Sequence, residues 1–349
     1  MRKRVWIHSM RDRVWRAVYS TLAPPGAKAR LSTLIFHRVL ATADPLLPDE
    51  PNAAEFEHRM RWLQRHFHVI PLADAAARLS SGTLPARPLA ITFDDGYADN
   101  QQVAAPILSK LGLPATFFIA TGYLDGGRMF NDSIIAAVRG CKRSHLDLTE
   151  LGLGIHSLES LELRGRAISA LLPQVKGLDP ARRAASAERI CQLAEITPPD
   201  DLMMTSSQVA ALARAGFGIG AHTVNHPILA GLDPVAAREE IQLGRRRLEE
   251  ITGGPIRLFA YPNGRPGDDY TVHTAALVRQ LGFAAAFTTA HGVARSGADL
   301  FQLPRFTPWD RGDLKFGVRM ARNLLNAHPA VETSAITSLA SRADTSRHA

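Results

Sequence analysis

The sequence predicts an α/β protein built on a parallel barrel, and three observations carry that expectation. Short apolar strands alternate with helical stretches through brief connections. Acids and histidines recur where those strands end, and glycines or prolines punctuate the turns between them. With 349 residues the chain has room for one large α/β domain or about two average ones, at roughly 150 residues each. A composition of 46% hydrophobic and 21% charged residues excludes a wholly disordered chain.

Taken in order, Ser32 to Phe36 reads as the first strand and leads into His37-Arg38-Val39. Phe56, Met60, Leu63 and Phe67 then fall at helical spacing, a stripe more often core than ligand surface. Val69-Ile70 is a brief strand and Ala73 to Leu79 a helix. Leu89 to Phe93 is continuously apolar or β-branched between Pro88 and Gly96, the pattern of a strand buried on both faces. It empties into Asp94 and Asp95, where a turn and a functional site are equally good readings of these residues alone. Asp99 is expected to cap the helix that stops at Gly112, and Ala115 to Ala120 is the next strand, completing a βαβ unit.

Residues from 130 to about 205 interrupt the alternation: they are largely helical by pattern, rich in Ala, Arg, Glu and Leu, and read as an insertion or lid. The alternation resumes with a helix over Ser206 to Ala215 and a strand over Phe217 to Ala221, which runs into His222 and His226. Asp233-Pro234 supplies a cap and first-turn proline for a helix whose buried face is Ala237, Ile241, Gly244, Leu248 and Ile251. Ile256 to Tyr261 is a strand, Asp269 to Leu281 a helix, and Phe283 to Thr288 a strand leading to His291. Phe301 to Phe306 is the last apolar segment, and Leu314 to Leu325 the final helix. This divides the chain into a basic segment over 1–31, a barrel over 32–326 and a polar tail over 327–349 expected to be flexible.

The formal net charge of +8 is partly local, because Arg2, Lys3, Arg4, Arg11, Arg13 and Arg16 face only Asp12 in the opening stretch. No nucleic-acid motif accompanies the excess, so no nucleic-acid partner is expected. The stretch from Val5 to Leu22 reads as a solvated helix. A less favoured reading turns Trp6, Trp15 and Tyr19 toward lipid for weak membrane-surface contact. With no secretory apolar core and no membrane-length run, the expected location is cytoplasmic, or peripheral to a membrane. Cys141 and Cys191 lack a Cys-x-x-Cys spacing, which argues against a disulfide framework or thiolate zinc site.

His222 and His226 lie four positions apart, close enough to share one side of a helix or tight loop. Two imidazoles and one carboxylate make the three-ligand set of an open zinc-type site. Adjacent acids on a strand point in different directions, so one of Asp94 and Asp95 can bind metal while the other takes a proton from water. No Gly-x-Ser-x-Gly elbow, Walker loop or Gly-x-Gly-x-x-Gly fingerprint competes with this reading.

Thr92-Phe93-Asp94-Asp95-Gly96 and His222-Thr223-Val224-Asn225-His226-Pro227 resemble the first two motifs of the polysaccharide deacetylases, the NodB homology domain of carbohydrate esterase family 4. Phe36-His37-Arg38-Val39 and Phe259-Ala260-Tyr261-Pro262-Asn263-Gly264 resemble flanking motifs, so the likeness runs from about residue 32 to 310, with its core over 88–310. The resemblance implies a distorted, TIM-like (β/α) barrel of about seven parallel strands with a helical insertion. It implies Asp94 as catalytic base and Asp95, His222 and His226 as ligands of a divalent metal: zinc, with cobalt, nickel or manganese as alternatives. Ala260 stands where many relatives carry an arginine that orients the base, and Arg305 is the candidate replacement. The usual Leu-x-His acid motif is missing; His291 is the first candidate for the acid and His37 the second. Tyr97, Tyr261, Pro262, Arg305 and His37 are the candidate substrate-binding residues. The implied activity is removal of acetyl from N-acetylated, or O-acetylated, sugars of a polysaccharide or glycoconjugate. The alternatives are a non-carbohydrate amide hydrolase and a non-catalytic carbohydrate-binding relative.

Overall fold

In the computed structural model, residues 2–307 and 310–326 are described, with the side chains of 2–9 and 180 excepted. The expected tail over 327–349 lies outside the described residues, as does the side chain of Trp6. The elements run α1 (Arg2–Leu22), β1 (Arg30–Phe36), α2 (Ala53–His66), β2 (His68–Val69), α3 (Leu72–Ser80), β3 (Pro88–Phe93), α4 (Ala105–Leu111) and β4 (Thr116–Ile119). The insertion follows as α5 (Phe130–Gly140), β5 (His145–Asp147), β6 (Ile155–Ser157), α6 (Leu161–Lys176) and α7 (Pro180–Leu193). The chain then completes α8 (Ser206–Arg214), β7 (Gly218–Ala221), α9 (Pro234–Thr252), β8 (Leu258–Ala260), α10 (Val272–Gln280), β9 (Ala285–Phe287), β10 (Ala294–Arg295) and α11 (Asp313–Leu325).

The main sheet has the order β10-β1-β3-β4-β7-β8-β9, with β2 beside β3, and only β10 is antiparallel to its neighbour. The other seven strands are parallel, as the barrel expectation required. The segment Phe301 to Phe306 brings the two margins together: Leu303 bridges Phe287 of β9 and Phe306 bridges Leu34 of β1. Alternation along the strands sorts side chains into two layers. Leu89, Ile91 and Phe93 of β3, Phe117 and Ile119 of β4, and Phe259 of β8 face the helices, with Phe93 stacked between Phe36 and Phe117. Ala90, Phe118, Leu258, Ala260, Ala285, Phe287 and Leu303 form a second, smaller cluster on the opposite side.

The helices obey the local signals. Asn52 and Glu55 close a capping box on α2, whose Phe56, Met60 and Leu63 are fully buried. Asp233 caps α9 ahead of Pro234, and Gly253 ends it with a left-handed φ of 70°. Asp99, however, does not cap α4. Its carboxylate pairs with Arg38 at 2.8 Å and accepts the Val39 N–H, and α4 is entered through a π-turn over Asn100–Ala104.

The insertion, expected to be largely helical, also contains an antiparallel hairpin of β5 and β6, too short to register as alternation. The insertion has its own core, including Ile134, Val138, Leu146, Leu171, Val175 and Ile190, where both free cysteines are buried. In α1, Tyr19 is fully buried, packs on Trp62, His66 and Phe67, and donates its hydroxyl to the Gly317 carbonyl at 2.9 Å. Trp15 stacks on Tyr19, so these two rings cover the barrel rather than lipid. Among the described residues no helix is long and apolar enough to cross a membrane.

Candidate active site

The carboxyl end of β3 delivers the two acids in different ways. Asp94 continues the strand, its N–H donating to the Phe36 carbonyl at 2.9 Å, and lies two positions beyond Thr92 on the same face. Alternation would send Asp95 to the other face. Its φ of 74° breaks the strand instead and brings its Oδ1 to 3.5 Å from His222 Nε2 and 3.4 Å from His226 Nε2. Gly96 follows at φ 96°, where an added Cβ would press on Ile119 at 3.1 Å.

The histidines come from the loop after β7. His222 prolongs the strand by donating its N–H to Ile119, and Thr223 and His226 then take left-handed φ values of 67° and 51°. Two such residues within the five positions 222–226 mark a loop held in a costly shape by its surroundings. Those surroundings are specific. Glu240 of α9 accepts the backbone N–H groups of Val224 and Asn225 at 3.0 and 2.9 Å and the Asn225 amide at 2.7 Å. At Gly244, one turn along α9, a Cβ would lie 2.7 Å from the Thr223 carbonyl oxygen.

The donor set fits a divalent metal. Asp95, His222 and His226 each offer a ligand atom within 4.8 Å of the others. Asp95 Oδ1 is buried and accepts no hydrogen bond, an orphan that a cation would satisfy. His222 Nδ1 lies 2.8 Å from the Ala260 carbonyl, which fixes the proton there and leaves Nε2 facing the acids. Burial pushes the His226 imidazole down to about 3, against the pull of Asp95, so it stays neutral as a ligand must. Two imidazoles and a carboxylate suit zinc and its neighbours.

Arg305 is drawn to Asp94. Its guanidinium, with no exposed surface, donates to both Asp94 oxygens at 2.6 and 2.8 Å and to the Thr288 carbonyl at 3.1 Å. Burial alone would raise the Asp94 carboxyl; the charges of Arg305 and His222 and the Arg305 hydrogen bonds hold it below the usual range. Ala260 therefore leaves no gap, because the orienting cation arrives from the segment that joins β9 to β1.

The remaining sequence candidates divide sharply. His37 lines the cleft of about 360 Å³ that also contains Asp94, Asp95, His222 and His226. His291 is exposed and lines a different cleft, beside Phe306 and Arg322. Arg305 is spent on Asp94 and has no surface left for substrate. Tyr97 is buried, its hydroxyl 3.2 Å from Asp132 Oδ2 and its ring under Arg38. Tyr261 is stacked on Tyr270 at 4.0 Å and bonded to the Phe301 carbonyl, while buried Pro262 hands the cleft to the next residue, Asn263. Both tyrosines are core residues whose hydroxyls are satisfied internally.

Met129 and, from the insertion that follows it, Phe130, Asn131, Leu172, Pro173, Lys176 and Arg183 are cleft residues that motif reading missed. Asn131 donates to the Tyr97 hydroxyl, beside which burial pushes the Asp132 carboxyl up to about 7. Nothing in the local pattern separates these residues, or Glu240, from ordinary helix positions.

The family model described as Polysaccharide deacetylase matches residues 81–160 and 181–286. The "Putative polysaccharide deacetylase YxkH" of Bacillus subtilis (strain 168) is 23% identical over 279 residues, covering 79% of this chain and 71% of that protein. The Poly-beta-1,6-N-acetyl-D-glucosamine N-deacetylase of Staphylococcus aureus (strain MSSA476) is 28% identical over 115 residues, 33% of this chain and 40% of that enzyme. Among solved structures, Streptococcus pyogenes deacetylase PplD in complex with acetate superposes with a TM-score of 0.56 at 19% identity, covering 84% of this chain and 98% of that one. IcaB from Ammonifex degensii gives 0.54 at 19% identity, covering 87% and 99%. At these identities the structural likeness speaks for the fold.

Proposed function

The chain belongs to the polysaccharide deacetylase family, and on that premise we propose that it is a metal-dependent hydrolase removing N-acetyl groups from a hexosamine polysaccharide. The observation that carries this is a single cleft holding Asp94, locked by Arg305, beside the Asp95, His222 and His226 donor set. The name of the Staphylococcus aureus relative supports an N-acetylglucosamine polymer as the substrate.

Asp95 and the two histidine Nε2 atoms would hold the metal. When bound, it supplies Lewis acidity, polarising the acetyl carbonyl and making water easier to deprotonate. Asp94 acts as the base and accepts a proton from the attacking water. Arg305 keeps that carboxylate ionised and oriented by occupying one lone pair on each oxygen, leaving the others for the water. His37 donates a proton to the departing amine, which leaves poorly without one. Its place in the cleft supports it over His291, which lines another surface. Ala260 contributes through its backbone, by fixing the His222 tautomer.

The test is metal content together with acetate release from poly-N-acetylglucosamine oligomers, for the wild type, Asp94→Asn and His222→Ala, with and without chelator. Asp94→Asn is expected to retain metal and lose turnover, and His222→Ala to lose both. Chelator-insensitive acetate release would refute the metal reading, and near-normal turnover in Asp94→Asn would refute the assignment of the base.

A further inference from the structure

The insertion brings two cations to the catalytic cleft. Lys176 ends α6 and Arg183 lies in the first turn of α7, and both line the cleft that contains Asp94 and His226. Lys176 is exposed, whereas Arg183 is only 7% exposed. The Arg183 guanidinium carbon sits 5.0 Å over the Phe130 ring. Among the described residues no carboxylate pairs with the Arg183 side chain and no acceptor bonds to it.

Its neighbours are different. Arg128 donates to the Ser133 hydroxyl and the Pro199 carbonyl, and Arg164 to three backbone carbonyls. A largely buried guanidinium without a counter-charge is unfavourable relative to one that a ligand carboxylate pairs. The two acids of the cleft cannot, because Asp94 is taken by Arg305 and Asp95 faces the histidines. Arg183 and Phe130 also line an adjoining groove of about 630 Å³ between α7 and α9. Of the three acids in that groove, Glu240 is occupied by the histidine loop, Glu188 lies 4.0 Å from Arg128, and Glu239 is exposed to solvent.

We propose that Arg183, assisted by Lys176, forms a subsite for a carboxylate carried by the glycan beside the sugar that is deacetylated; this rests on the deacetylase reading above. The flat fork of a guanidinium matches a carboxylate, and its stacking on Phe130 leaves the N–H edge free for one. The same chemistry could come from the acetate released by the reaction, so the test separates the two sources.

Three probes are compared on the full chain: an oligosaccharide alternating N-acetylhexosamine with hexuronate, the same oligosaccharide with its carboxylates reduced to alcohols, and sodium acetate. Binding is measured by calorimetry on metal-stripped protein, and acetate release on metal-loaded protein. The hexuronate oligosaccharide is expected to bind at least about tenfold more tightly than its reduced form. That preference falls about tenfold in Arg183→Gln, is largely kept in Arg183→Lys, and falls less in Lys176→Gln. Lys176, being exposed, tests the subsite even if replacing Arg183 unsettles the insertion.

Equal binding of the charged and reduced oligosaccharides to wild type overturns the proposal, as does a preference that neither Arg183→Gln nor Lys176→Gln lowers. Arg183-dependent binding of acetate, with no discrimination between the oligosaccharides, assigns the cations to the product and also overturns it. Arg183-dependent preference without any acetate release would instead keep the subsite and remove the deacetylase reading.

Discussion

Replacing Arg305 with methionine removes a guanidinium of no exposure while keeping a similar length of apolar side chain. Asp94, itself only 2% exposed, then loses two charge-assisted hydrogen bonds of 2.6 and 2.8 Å. Breaking a buried pair from one side costs about 3–5 kcal/mol, because the surviving charge stays buried. Asp94→Asn breaks the pair from the other side: the buried Arg305 charge is left unpaired and only one of its two donors keeps an oxygen acceptor, so a similar cost of about 3–5 kcal/mol is expected. In the double variant neither charge remains, so the two costs do not add, and a coupling of about 2–4 kcal/mol should appear. Urea denaturation of the four proteins at pH 7 measures it. Metal content should persist in Arg305→Met, because Arg305 touches none of the three donor residues. Additivity within about 0.5 kcal/mol would refute the view that this pair is the central ionic contact of the barrel interior.

Four further outcomes follow from other contacts. Asp132, pushed up to about 7 from 3.8 by burial, faces Tyr97, Arg38, Asp95 and Asp99. Its folded form holds a proton that the unfolded chain releases, so stability should fall as pH rises from about 4 to about 7, by roughly 4 kcal/mol at 1.36 per pKa unit. Asp132→Asn should lack that slope, and a wild-type-to-variant stability gap that stays constant over this range would refute it. Glu240→Ala strips three hydrogen bonds from the histidine loop, and metal titration should show affinity weakened about 10–100-fold; Gly244→Ala, which forces a Cβ onto Thr223, should cost about 1–3 kcal/mol in denaturation. His37→Ala should slow N-acetyl hydrolysis at least about a hundredfold and an activated acetyl ester much less, while His291→Ala changes neither; the reverse pattern would return the acid role to His291.

The legible part of this protein is the part written in neighbouring residues. The apolar run over Leu89 to Phe93, the Asp233-Pro234 cap and the stripe of Phe56, Met60 and Leu63 act through backbone sterics and side-chain period, which reach a few positions along the chain. They were enough to anticipate the seven parallel strands, and the Asp94-Asp95 and His222/His226 pairs announced the site because each motif is contiguous. Asp99 misled for the same reason: beside a helix start it looks like a cap, but Arg38, 61 positions away, binds its carboxylate. Partnerships across the fold carry no local signature. Arg305 reaches Asp94 over 211 positions because the final segment bridges the sheet margins, and Glu240 meets the histidine loop because Gly244 lets α9 approach it. Tyr97 and Tyr261 resembled site residues in sequence, yet Met129, Met203 and Asp132 bury the first and Tyr270 and the Phe301 segment the second. Which cations and which histidine face the cleft was decided when the insertion packed its own core over the strand ends, a matter of tertiary burial to which periodicity along the chain is blind.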